Sequence, residues 1–184
     1  MAAKMPRVGR AWLRLTEAFE TGRIHNNSIP PRRKLRKEHE LHERLYGQLV
    51  DVIKDFGIAV HTNQQFDEVR DYFGQTWTPV GAWGGLREGI RLSYDSFYVL
   101  AHEFAHATDD LLGGCRGRAQ RELVASAASY LFCVEYFGRG DMRHAVHYPT
   151  KYWGATEEDF RRLSDYIIDV FRQMDGLFKM YLTT

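Results

Sequence analysis

Two histidines four residues apart, His102 and His106, stand in an apolar run with the period of a buried helix. Positions i and i+4 lie one above the other on a helix, so both imidazoles point into the same space. Such a pair can hold one zinc ion through two ring nitrogens. Glu103, beside His102, can then take a proton from a metal-bound water. In a chain with 8 His, chance would produce an H-E-x-x-H run about 0.02 times. The motif therefore demands a fold that buries one helix against a second element carrying a further ligand.

A catalytic zinc site needs a third protein ligand and keeps its fourth position open. Glu122 leads the candidates. It lies near the start of the next apolar helical run, and Gly113, Gly114 and Gly117 can turn the chain back before it. A first-turn acid can equally serve the helix dipole. Asp109 and Asp110 are rivals one turn further along the first helix. A single helix struggles to surround a tetrahedron, however, so they suit a role in orienting His106 better. For stabilising an oxyanion, His144, His147 and Tyr148 are candidates in a loop-like stretch, against the alternative of ordinary polar surface.

Around this motif, the spacing predicts a basic amphipathic helix over 7–21, with Val8, Trp12, Leu15 and Phe19 on one side. That helix either docks on its own domain or seeks another surface. A linker or ordered loop follows over 21–33, then a helix over 34–56 stopped by Gly57. Strands are expected at 58–62, 78–83 and 89–93, with a Gly84-Gly85 turn between the last two and a short helix at 66–73. The strand at 89–93 precedes the motif and offers an edge to which a peptide can add. Helices are expected from Asp95 to about Gly113 and over 118–137. After an irregular stretch, Thr156 and Asp159 form a capping box that opens a last helix bearing Phe160, Leu163, Ile167, Val170, Phe171, Met174 and Phe178.

One decoy needs separating from the motif. His39-Glu40-Leu41-His42-Glu43 is one residue short of H-E-x-x-H and sits on a charged helix, so it reads as a surface pair. Cys115 and Cys133 form no C-x-x-C, and Cys133 in an apolar helix reads as core. With no apolar run near bilayer length, no signal-like segment and no disulfide framework, the expectation is a cytoplasmic protein without a membrane span.

The net charge of +1 conceals a division. Residues 1–37 hold ten basic side chains against Glu17 and Glu20, a balance of +8, which leaves −7 on the rest. A basic arm on an acidic body signals a partner, and DNA phosphates are one candidate.

The run from Val99 to Phe137 (VLAHEFAHATDDLLGG…RELVASAASYLFCVEYF) resembles the gluzincin-type metallopeptidases of the ImmA/IrrE group. It is most similar to the metallopeptidase domain of ArdC-type antirestriction proteins of plasmids and phages. The resemblance implies His102, His106 and Glu122 as zinc ligands and Glu103 as general base. It continues through Tyr148, Tyr152 and Trp153, which echo the family's Y-x-x-W segment, and covers about residues 89 to 180. Two positions depart from it. Asp110 stands where histidine is common, and Ser126 where an acid or asparagine is usual. The sequence before the first strand is also shorter than the separate single-stranded-DNA-binding domain of ArdC-type proteins.

The expectation is thus an α+β, zincin-like metallopeptidase domain over 38–184, a small twisted sheet packed on a helical bundle, preceded by a basic helix and linker over 1–37. The expected function is zinc-dependent hydrolysis of a protein or peptide substrate, with Glu103 and Tyr148 catalytic. The alternatives are a DNA-associated antirestriction factor with a structural or vestigial zinc site, and an interaction module on a peptidase scaffold. A homodimer is open, since a helix on a Pro30-Pro31 tether can swap between chains.

Overall fold

Apolar side chains at helical spacing build most of the molecule. The computed structural model describes residues 7–24, 32–70, 76–114 and 117–182. Helix α1 (Arg7–Thr21) buries Ala11, Leu15, Ala18 and Phe19. These recur at i, i+4, i+7 and i+8, one stripe of the helix. The Phe19 ring stacks on Phe160 with centroids 4.2 Å apart, and Trp12 stacks on the same ring at 5.4 Å. The basic helix therefore docks on its own domain, with Arg7, Arg10 and Arg14 facing solvent. Residues 25–31 of the expected linker lie outside the described residues, as does Cys115.

Helix α2 (Arg32–Asp55) buries Leu45, Leu49, Val52 and Ile53. It stops as the sequence predicts. Gly57, at φ 75°, donates its N–H to Lys54 O, and Ile58 donates to Ile53 O. This pair of bonds satisfies carbonyls that a helix end leaves open.

A small sheet follows. Strands β1 (Val60–His61), β2 (Val69–Arg70), β3 (Thr76–Trp77) and β4 (Gly81–Trp83) precede a one-turn helix α3 (Gly85–Glu88) and strand β5 (Ile90–Leu92). The three-stranded sheet runs β1-β5-β4, with β1 parallel and β4 antiparallel to β5. β2 and β3 pair separately, Val69 opposite Trp77. Three expectations change here. The predicted helix at 66–73 is replaced by β2, where β-branched Val69 finds a strand partner, and 71–73 lie outside the described residues. The strand at 89–93 is central, because β1 and β4 occupy both its edges, so it cannot add a peptide; β4 is an outer strand. The Gly84-Gly85 turn widens into α3. Gly89 lets β5 approach β1, since a Cβ there would stand 2.2 Å from Ala59 O.

Helix α4 (Phe97–Leu111) is buried on nearly every side and packs between the sheet and α5 (Arg118–Phe137). Ser96 caps α4 by accepting from Val99 N–H at 3.4 Å. The expected irregular stretch contains α6 (Met142–His147) and a single π-helical turn, Tyr148–Tyr152. Helix α7 (Glu157–Leu182) opens with the predicted reciprocal cap. Thr156 Oγ1 accepts from Asp159 N–H at 3.1 Å, and Asp159 Oδ2 accepts from Thr156 N–H at 3.0 Å. Its seven predicted core residues are all buried. The architecture is α+β in the general sense, a helical assembly with one small mixed sheet around a shared core. Among the described residues, no helix is long and apolar enough to cross a membrane.

Candidate metal centre

Helix α4 presents His102 and His106 one turn apart, with ring centroids 4.8 Å apart and planes at 86°. The glycine-rich connection after α4 returns the chain antiparallel, and the first turn of α5 brings Glu122 to the same place. Glu122 Oε2 lies 3.4 Å from the Nε2 of both His102 and His106. One ligand atom from each of the three falls within 4.8 Å of the others. Both contacts are too long and poorly aimed for good hydrogen bonds, and Glu122 Oε2 is buried with no hydrogen-bond partner. The two distances from Glu122 match another purpose. Ligand atoms about 2.05 Å from one ion at tetrahedral angles stand about 3.4 Å apart. His102, His106 and Glu122 therefore form a group that can hold a metal ion.

The electrostatics are those of a buried, mutually dependent set. Burial alone would raise the Glu122 pKa, but the two imidazoles more than offset it and hold the carboxylate well below its usual range. Burial lowers the pKa of His106, and the Glu122 and Glu103 carboxylates outweigh it, for a net rise. Glu103 itself is 5% exposed, and burial pushes its pKa up despite the neighbouring imidazoles. The backbone N–H of Trp83 in β4 donates to this carboxylate. Room for it comes from Gly81, where a Cβ would stand 2.7 Å from Glu103 Oε1 and 2.6 Å from Val99 Cγ1.

Neither rival carboxylate joins the three ligand candidates. Asp110 Oδ2 accepts from Trp83 Nε1 at 2.6 Å, and Oδ1 accepts from Arg121 Nη2 at 2.6 Å. It ties the sheet, α4 and the first turn of α5 together. Asp109 is fully buried, 3.9 Å from Arg121 Nε. Arg121 thus bridges two acids of α4 and fixes the start of α5, where Glu122 follows it.

Of the three proposed oxyanion donors, the structure brings two to the site. The His144 ring stacks on Tyr148 at 4.5 Å, and His102 lies 5.5 Å from His144 and 5.8 Å from Tyr148. Both line a cavity of about 680 Å³ together with His102 and Glu103. Burial, then the Glu122 charge, pushes the Tyr148 hydroxyl pKa well above its usual value. His144 keeps solvent contact, while the enclosing protein and then His102 bring its pKa down to about 4. His147 is not part of the cavity lining. Behind Tyr148, Trp153 lies at 6.4 Å between centroids, with the Arg118 guanidinium 3.8 Å over its ring.

The decoy motif separates as its context requires. His39 and Glu43 form an exposed pair at 3.4 Å. His42 does something the sequence reading missed: its Nε2 accepts the N–H of Phe97, the first residue of α4, at 3.0 Å. Gly81, the Trp83 N–H and Arg121 also escaped that reading. Their only sequence signal is proximity to the motif, since each acts across a gap that folding closes.

Comparison of the chain with protein-family models, curated proteins and solved structures finds no match.

Proposed function

We propose that this chain is a zinc-dependent metallopeptidase that hydrolyses a protein or peptide substrate. The observation that carries the reading is the convergence of three metal-ligand candidates, His102, His106 and Glu122, with buried Glu103 beside them. Two nitrogens and one carboxylate oxygen are a donor set for zinc with an open fourth position. When bound, zinc supplies Lewis acidity to a water and to the scissile carbonyl.

The chain's own residues supply the rest. Glu103 accepts the proton of the attacking water and returns it to the leaving amine. Its burial raises its proton affinity, which strengthens it as the base that takes the proton of the attacking water. The Tyr148 hydroxyl, kept protonated by its raised pKa, faces the same cavity and donates to the oxyanion that develops. Stacking against His144 and the neighbouring Trp153 restrains the Tyr148 ring. The gluzincin resemblance of the sequence assigns the same roles to His102, Glu103, His106 and Glu122.

The test is zinc-reconstituted protein acting on a peptide library. Glu103→Gln is expected to slow hydrolysis by about 10²–10⁴-fold while about one zinc per chain remains bound. Hydrolysis at the wild-type rate in that variant would overturn the mechanism.

A further inference from the structure

The face of α5 that carries Glu122 continues inward through Ser126, Ser129, Tyr130 and Cys133, spaced as one helical stripe. All four line the cavity that begins at His102 and Glu103, and Tyr98 and Met142 line it from α4 and α6. Ser126 stands one turn, about 6 Å along the axis, from Glu122. A side chain reaching it would therefore belong to a residue next to the scissile bond.

The chemistry of this inner wall is specific. Ser126 is 1% exposed, and its Oγ has no hydrogen-bond partner. By contrast, Ser129 Oγ donates to the Ser126 carbonyl at 3.2 Å. Burial raises the pKa of the Cys133 thiol and of the Tyr130 hydroxyl, so both stay neutral. Of the charged residues of the cavity, Glu103 lies at its metal-site end, and Arg139, Asp141 and Arg143 are half-buried or exposed. A charged substrate group at the inner wall would lose its hydration, and no charged side chain of α5 lines the cavity beside Ser126 to replace it. An aliphatic group would leave the Ser126 hydroxyl unpaired. A carboxamide, uncharged and both donor and acceptor, meets each condition.

We infer that this cavity is a selective side-chain pocket of the substrate site, taking an Asn or Gln side chain with Ser126 Oγ as its hydrogen-bond partner. The inference rests on the peptidase reading above, and its test is chosen to be separable from it. Peptide hydroxamates that differ only in the side chain beside the metal-binding group, Gln, Leu or Glu, are titrated by calorimetry into the zinc-reconstituted full chain. The Gln compound is expected to bind about tenfold or more tightly than the other two. In Ser126→Ala, with zinc content unchanged, Gln and Leu should come within about threefold. Equal affinities across the wild-type series, or a Gln preference that survives Ser126→Ala, would overturn the pocket. The wild-type ranking decides alone if the variant loses its fold. Binding is read without turnover, so a chain that ranks the compounds yet hydrolyses no peptide sinks the peptidase reading and leaves the pocket standing.

Discussion

Gly81 shows how tightly the Glu103 carboxylate is placed. The single carbon of an alanine would stand 2.7 Å from Glu103 Oε1 and 2.6 Å from Val99 Cγ1, both inside contact distance. Glu103 would have to leave its position under the Trp83 N–H. Displacement of a reacting group by about 1 Å costs on the order of 10²-fold in rate. Gly81→Ala is therefore expected to lower kcat by about that factor while zinc content stays near one per chain; a kcat equal to wild type would show that Glu103 tolerates movement. Glu122→Ala should act the other way round, losing the ion first. It removes one of three candidate ligand atoms and leaves the two imidazoles of α4, so metal analysis of zinc-reconstituted protein after dialysis should find zinc depleted. The difference in legibility between these residues is physical. His102, Glu103 and His106 are fixed relative to one another by helix geometry, and Glu122 by the glycines that turn the chain back. Gly81 owes its identity to side chains that approach it only after the sheet docks on α4.

At the level of elements, the helix ends divide in the same way. The capping box of α7 was readable because Thr156 and Asp159 are three residues apart and satisfy each other. At the start of α4, expected from Asp95 onward and found at Phe97, the bond to its first N–H was not, because its acceptor is His42, 55 residues away in sequence. Likewise, the sheet expectation placed the strand at 89–93 on an edge, since order in a sheet depends on which remote strand arrives, and β1 arrived on its far side. His42→Ala should cost about 1 kcal/mol, seen as a melting point about 2–4 °C lower. His42 also gives this contact a pH dependence. Burial, reinforced by His39, holds its folded-state pKa below the unfolded value of 6.5. The unfolded chain therefore takes up the proton first. The contribution of His42 is full above pH 6.5 and declines as pH falls from there toward the lowered folded-state pKa. Melting curves of wild type and His42→Ala should converge as pH drops through that interval, and a constant separation would exclude the linkage.

For the molecule as a whole, the division of charge into +8 and −7 does not mark a division of structure. Helix α1 belongs to the basic segment, yet its apolar stripe lies in the same core as α4, α5 and α7. Its arginines read as an arm because charge can be counted along the chain, whereas the partner of its apolar face was Phe160, beyond any local pattern. Burying a side chain such as Leu15 or Phe19 contributes about 1.5–3 kcal/mol. Two of them are a substantial share of a total stability of about 5–15 kcal/mol. Removal of residues 1–24 would also uncover the Phe160 ring and the wall near Tyr130, beside which Arg14 lies closely enough to act on its hydroxyl. A detachable arm predicts that the truncated chain keeps its melting point and its zinc. A docked helix predicts the reverse: a melting point lower by about 10 °C or more, faster cleavage by an added protease and weaker retention of zinc. Limited proteolysis and thermal melts of the truncated chain beside the full chain distinguish the two. Unchanged behaviour would return the basic helix to the role of an appendage and separate it from the candidate metal centre.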